Sequence, residues 1–366
     1  MTARSGAGGR STDETEAGPA LRPALRRAAI ATVVLAGLSL LAAVIALGAG
    51  IELGKALQVP AATLAGLVLV VVAFATVNYA IRIWRFLFLA RRLGLSAGVA
   101  AMSVFYVAGF ALTMSPGKLG EMVRLWFLKR RYGSDYRRGV ALQLGDRIGD
   151  VYAMLLLCLA GLAGFEPYRG AVLAVLVAAL AGTALLVRPR LLVAGIGAAY
   201  GVVRRKPRLF VALRHMVRHT ALVMRGGVFV PALALGVVSW LAEAVSLWLV
   251  LMLLGIPVDL LAATFVFAFA AVAGGLTMAP GGVGGFEIVM VMLLGLQGVP
   301  TDMAVVATAV VRLGTVWYGT LAGFLAVPVA LRMSAPPSAG AAGPAQPTNR
   351  AAEPAPCIHT IARNAP

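Results

Sequence analysis

Acidic residues are scarce in this chain, with 14 Asp and Glu against 32 Lys and Arg in 366 residues. Charge of either sign is thin as well, at 13%, whereas 60% of residues are apolar. Soluble domains carry about 25% charged and 45–50% apolar residues, so a soluble core cannot absorb this excess. Cysteine and histidine are nearly missing, at 2 and 3. No Cys/His cluster has metal-ligand spacing, so neither a disulfide, a metal nor a cofactor is expected. His215 and His219 stand four apart among arginines without a carboxylate, which argues against a metal there too. The shortage of acid leaves a net charge of +18, a value that would suit a nucleic-acid binder. The placement argues against that partner: Lys and Arg fall in loops between apolar runs, the pattern of cytoplasmic membrane loops.

What is present is a series of apolar runs of membrane-spanning length, about 20 residues each. Residues 1–24 read as a disordered cytoplasmic tail, and the basic Arg22, Arg26 and Arg27 precede a first span at Ala28–Ile51, a retained anchor rather than a signal peptide. Span two covers about Ala61–Ile81 and ends at Arg82 and Arg85, with Trp84 as an interfacial anchor. Leu93–Gly117 is uncharged and stops at Pro116-Gly117. Leu119, Met122, Val123, Trp126 and Phe127 then share a helical face. Gly139–Phe165 is apolar but contains Asp146, Arg147 and Asp150. After a span at Gly170–Val187, residues 188–225 hold nine Lys or Arg and no acid, which predicts basic helices on an anionic inner leaflet. Gly226–Leu254 is a further span with Glu243 inside it, Leu260–Ala279 is apolar and breaks at Pro280–Gly285, and Met303–Leu331 is the last span with Arg312 inside it. Residues 333–366 read as a second disordered cytoplasmic tail.

Two stretches organise this series: Pro116-Gly117-Lys118-Leu119-Gly120-Glu121, and Pro280-Gly281-Gly282-Val283-Gly284-Gly285-Phe286-Glu287. Each puts Pro and Gly where a membrane helix would continue, with a carboxylate shortly after. Arg147 follows Glu121 by 26 residues and Arg312 follows Glu287 by 25. Arg147-Ile148-Gly149 matches Arg312-Leu313-Gly314, and Leu93-Gly94-Leu95 matches Leu254-Gly255-Ile256. Twelve residues before each of those glycines stand Arg82 and Glu243. By loop charge the first unit begins and ends inside and the second outside. The fold class predicted is an all-α polytopic membrane protein, with about six full spans and two re-entrant or broken-helix hairpins. The hairpins belong to an inverted repeat over about residues 61–165 and 226–331, an arrangement that places transport sites near the bilayer midplane.

The two glycine elements, with Asn78, Arg82 and Arg85, resemble the lysylphosphatidylglycerol synthase transmembrane (flippase-like) family of bacterial and archaeal inner-membrane proteins, over about residues 25–332. The second element carries one more Gly than the family's shorter form. The resemblance implies a lipid translocase-like domain in the cytoplasmic membrane. In the aminoacyl-lipid synthases a soluble aminoacyl-transferase domain follows; here a short Ala/Pro tail follows Arg332, so lysyl transfer is not expected.

A helix beginning inside the membrane points free N–H groups and a positive dipole end into the protein, an anion site suited to a lipid phosphate. The candidate substrate-binding residues are therefore Pro116, Gly117, Lys118, Gly120, Glu121, Arg147, Asp150, Pro280, Gly281, Gly282, Gly284, Glu287 and Arg312, and Asn78, Arg82 and Arg85 are candidates to guide headgroups inward. Each has a plainer reading. Arg147 pairs with Asp150 or Glu121 to hold helices together, Arg312 pairs with Glu287 or Glu121, and Lys118 snorkels to the interface. Arg82 and Arg85 sit at the interface, and Asn78 caps or bridges helices. The favoured function is translocation of a lipid with a phosphate-containing headgroup. A membrane-embedded transferase using Asp146, Asp150 or Glu121 as base, and a non-catalytic partner of an envelope-lipid enzyme, are the alternatives.

Overall fold

The computed structural model describes residues 59–95, 97–113, 119–162, 220–277 and 279–335, with isolated residues elsewhere. The expected spans at 28–51 and 170–187, the basic segment 188–225 with its two histidines, and both tails therefore lie wholly or largely outside the described residues. Every element among the described residues is helical. In chain order they are α1 (Ala61–Arg92), α2 (Val99–Ala108) continued by a 3-10 turn (Gly109–Leu112), α3 (Leu119–Tyr132), α4 (Tyr136–Gly161), α5 (Gly226–Leu253), α6 (Leu260–Leu276), a 3-10 turn (Pro280–Gly282), α7 (Gly285–Leu296), α8 (Thr301–Arg312), a π turn (Leu313–Trp317) and α9 (Tyr318–Met333). Among the described residues, three continuous helices are long and apolar enough to cross a membrane: Ala61–Arg92, Gly226–Leu253 and Thr301–Met333. Val99–Leu112, Leu260–Leu276 and Gly285–Leu296 are apolar but shorter.

Two expectations are corrected. The second span does not stop near Ile81; α1 runs on to Arg92, so Arg82 and Arg85 lie inside a helix. The reason is the buried stripe. Leu67, Val71, Ala75, Asn78, Arg82, Arg85 and Leu89 recur every three or four residues, so the arginines continue the inward face. Trp84, on the opposite side, is 67% exposed. On α3 the predicted face is shifted: Met122 is 49% exposed, and Arg124, Leu125, Phe127 and Leu128 are the buried residues.

The most extensive packing is between α1 and α5. Gly236, Ser239, Glu243, Ser246 and Val250 form the matching stripe on α5. Small residues there let the backbones approach, as in membrane helix pairs generally, and Asn78 Nδ2 donates to Ser239 O at 2.7 Å.

The chain order long helix, short helix, short helix, long helix occurs twice, as α1–α4 and as α5–α9, and in the second series the two short helices are separated by the Pro280–Gly282 turn. Both leading helices end alike. Gly94 and Gly255 have φ of 69° and 78°, and the next N–H bonds back to the carbonyl five residues earlier, Leu95 to Ala90 and Ile256 to Leu251. That is a Schellman closure, which places a residue in the left-handed region and so favours glycine. Packing is reciprocal: α6 lies on α4, and α2 with its 3-10 turn lies on α9. Each contact has a glycine at its closest approach, Gly161 of α4 against α6 and Gly323 of α9 against Phe110-Ala111. Arg147 and Arg312 each stand eleven residues beyond the first residue of α4 and α8.

A Cβ added at Gly161 would lie 2.6 Å from the Leu261 carbonyl oxygen and 2.6 Å from the Phe265 nitrogen. Neither is a flexible side-chain tip. Gly161→Ala is expected to destabilise the detergent-solubilised protein by about 1–3 kcal/mol, read as a lower thermal unfolding midpoint. Gly66→Ala, where nothing lies within 4 Å, is the comparison expected to leave it unchanged.

Candidate functional site

Charge inside an apolar bundle has to be paired or hydrogen-bonded, and the pairing here is dense. Arg85 is 1% exposed. Its Nε and Nη2 bond Asp146 Oδ1 at 2.9 and 2.6 Å, and Nη2 also bonds Asp150 Oδ1 at 2.6 Å. Arg82 Nη2 reaches Asp150 Oδ2 at 3.0 Å. Arg147 contacts Asp146 Oδ2 at 3.3 Å and Asp150 Oδ2 at 3.2 Å. Trp240 Nε1 completes the shell by donating to Asp150 Oδ1 at 3.0 Å, while Arg82 lies 4.9 Å from the Trp240 ring centroid. Two aspartates on α4 thus bind two arginines on α1, one on their own helix and an indole on α5.

The second break is built differently. Gly281, Gly282 and Gly284 have φ of 62°, 68° and 88°, so the reversal needs residues without a Cβ. Gly274 on α6 lets the returning chain close in, since a Cβ there would meet Gly282 O at 3.2 Å and Phe286 N at 3.3 Å. Glu287 then clamps the turn. One carboxylate oxygen accepts from Gly284 N–H at 2.7 Å, and the other accepts from Arg312 Nε at 2.6 Å. Arg312 Nη2 donates to Gly281 O at 2.8 Å, and the guanidinium packs 4.7 Å from the Phe286 ring centroid. One N–H at this helix start, that of Gly284, is therefore taken by the helix's own carboxylate. Beyond Arg312 the π turn, a feature frequent at functional sites, presents Thr315 O to the Tyr79 hydroxyl, which donates at 2.7 Å.

Both clusters face one cavity of about 230 Å³. Its wall takes Arg82 from α1, Arg124 from α3, Arg147 from α4, Trp240 and Glu243 from α5, and Arg312 from α8. The end of α2 (Gly109, Phe110, Leu112, Thr113), α6 residues such as Phe267 and Ala271, and the tip of the glycine turn (Gly281, Gly282) also line it. Arg124 is held by its Nε donating to Tyr106 O at 3.0 Å and by stacking 3.8 Å from the Tyr106 ring centroid. Among the described residues, four guanidinium groups and one carboxylate, Glu243, face the space.

Of the residues read from the sequence, Arg147, Arg312, Gly281 and Gly282 meet at this cavity, and Asp150, Glu287 and Gly284 lie directly behind it in the networks above. Arg82 and Arg85 are corrected from interfacial to buried, because each faces α4 and finds an aspartate there. Asn78 bridges α1 to α5. Pro116, Gly117 and Lys118 and the side chains of Glu121 and Pro280 lie outside the described residues; Gly120 falls in α3. Sequence reasoning missed Arg124, Trp240 and Tyr79 as wall residues. Tyr79 is three residues before Arg82 and Trp240 three before Glu243, one helical turn from a charge, and that spacing was the available signal.

Residues 29–323 match the family described as the lysylphosphatidylglycerol synthase TM region. The chain is also 24% identical over 238 residues to a UPF0104 membrane protein of Methanothermobacter thermautotrophicus, covering 59% of this chain and 70% of that one.

Removing one partner of a buried ion pair leaves an uncompensated charge, at about 3–5 kcal/mol. Arg85→Met is expected to destabilise the protein by about that amount. Adding Asp146→Leu to it is expected to recover much of the loss. Thermal unfolding in detergent reads both, and equal losses in the single and double variants would contradict the pairing.

Proposed function

The chain belongs to the lysylphosphatidylglycerol synthase transmembrane-region family, and from that premise we propose that it moves a lipid with a phosphate-containing headgroup, a phospholipid or a polyprenyl-phosphate-linked lipid, between leaflets. The observation that carries this reading is the shared cavity, with Arg82, Arg124, Arg147 and Arg312 on its wall. Guanidinium groups recognise phosphate oxygens through paired N–H donors. Sites for drug-sized ligands occupy about 300–1,000 Å³; at about 230 Å³ this one suits a headgroup, whose acyl or polyprenyl tails stay in lipid.

The two series of helices act as an inverted repeat in this proposal, with two re-entrant hairpins meeting at the cavity and both chain termini in the cytoplasm. The doubled element order, the twin Schellman closures and the reciprocal packing of α6 on α4 and α2 on α9 support it. Rocking of one repeat against the other, the usual motion of such folds, would open the cavity to each side in turn. Asp150 suits this reading better than the role of base in a membrane-embedded transferase, since both its oxygens already accept from Arg or Trp donors.

Proteoliposomes carrying a fluorescent phosphatidylglycerol or polyprenyl phosphate test the proposal through leaflet exchange. Protein-dependent exchange is expected, slowed about 10- to 100-fold in Arg312→Gln or Arg147→Gln, the effect of losing one charge-assisted contact of about 1.5–3 kcal/mol. Absence of protein-dependent exchange for either lipid class counts against the reading.

A further inference from the structure

We propose that Glu243 is a proton-binding site on the cavity wall, and that it takes up one proton with each anionic headgroup admitted. This rests on the headgroup reading above.

Glu243 is 5% exposed and faces the cavity from the inward stripe of α5. The other described carboxylates around the cavity are committed: Asp146 and Asp150 to the α1 and α4 arginines, Glu287 to Arg312 and the Gly284 N–H. The Glu243 carboxylate makes no hydrogen bond or ion pair among the described residues, although a buried carboxylate ordinarily has several. The groups that face it are Tyr79 and Arg82 from α1, Arg147 and Asp150 from α4, and Arg312 from α8, with Arg124 of α3 across the cavity. The segment of α6 packed on α5 contributes no charged residue.

An ionised Glu243 and an anionic phosphate compete for the same field, that of Arg82 and Arg312. With water largely excluded, two such negative charges in one small space repel strongly. Protonation removes the repulsion and adds an O–H donor aimed at the space a phosphate oxygen would fill. When the cavity is empty, the ionised carboxylate balances the wall arginines and spares the bundle an unneutralised charge. Anion and proton therefore each raise the other's affinity by one reciprocal factor. The proton comes from water on the side where the headgroup enters and returns to water on the side where it leaves. Headgroup transfer so linked carries a proton with the lipid's negative charge, and a pH difference across the membrane drives it.

The test uses the full chain in phosphatidylcholine nanodiscs, with soluble dihexanoyl phosphatidylglycerol as the probe. Isothermal calorimetry in buffers of differing ionisation heat counts protons per lipid bound. About one proton taken up is expected between the titration point of Glu243 in the empty protein and that with lipid bound, with affinity falling about tenfold per pH unit across that window. Glu243→Gln is expected to bind with a flat pH profile and no uptake. Lipid binding without proton uptake from about pH 5 to pH 9 overturns the proton site and leaves the headgroup reading standing, as does uptake that persists in Glu243→Gln. Binding that requires sodium and moves no proton overturns it in the same way. No lipid binding at any pH overturns the headgroup reading and the proton site together. A wild-type count of zero overturns the proton site even if the variant fails to fold.

Discussion

A carboxylate deep in an apolar bundle persists only when cations and donors surround it, and Asp150 is the point at which this bundle meets that condition. Arg82 and Arg85 reach it from α1, Arg147 from its own helix and Trp240 from α5. Desolvating so many charges is expensive, so such a cluster contributes less to net stability than an apolar core of the same volume. What it supplies is register. Sliding α1 along α4 by one turn would pull Arg85 away from Asp146 and Asp150 and leave its guanidinium buried without a carboxylate partner. The α1–α4 register is held by that penalty, and the Trp240 indole on Asp150 ties α5, the helix of Glu243, to the same cluster.

The second break follows the same logic with fewer parts. Glu287 caps α7 and grips Arg312, which in turn holds the carbonyl of the glycine turn. A hairpin tip with four glycines among six residues has high backbone entropy to lose, and one arginine from the neighbouring helix fixes it. The two networks differ in how they are tied: two aspartates hold three arginines and an indole in the first, whereas the second has one ion pair, Glu287–Arg312, and the turn that it grips. A conformational change that releases Arg312 from Glu287 would loosen the tip without disturbing the α1–α4 cluster. The cavity thus has one wall tied by several ion pairs and one tied by a single ion pair and two backbone hydrogen bonds.

Much of this was legible in the residues. Apolar run length gave α1, α5 and the α8–α9 helix, because a span needs only composition and length. The glycine elements and the Glu–Arg spacing of 26 and 25 residues marked Arg147 and Arg312 before any coordinates. The misreadings share a cause. Arg82 and Arg85 read as interfacial because charge normally ends a span, and the compensating aspartates lie on α4, more than 60 residues away. Only the three- and four-residue spacing from Leu67 through Asn78 to Leu89 hinted that the helix keeps its buried face. Arg124 was hidden for a similar reason: its environment is the Tyr106 and Phe110 rings, a tertiary contact that no local pattern announces. The shift of the α3 face belongs with it, since Met122 looked like core by type and is exposed by position.

The account's central claim is that the two breaks serve one cavity that receives a phosphate between Arg147 and Arg312. The most direct measurement is a cryo-EM map of the protein in nanodiscs of an anionic phospholipid. The account predicts headgroup density inside the cavity, its phosphate in contact with Arg147 and Arg312, and tails leaving between helices into the bilayer. Lipid phosphates confined to the two membrane surfaces, with Arg147 and Arg312 facing separate compartments, would contradict it.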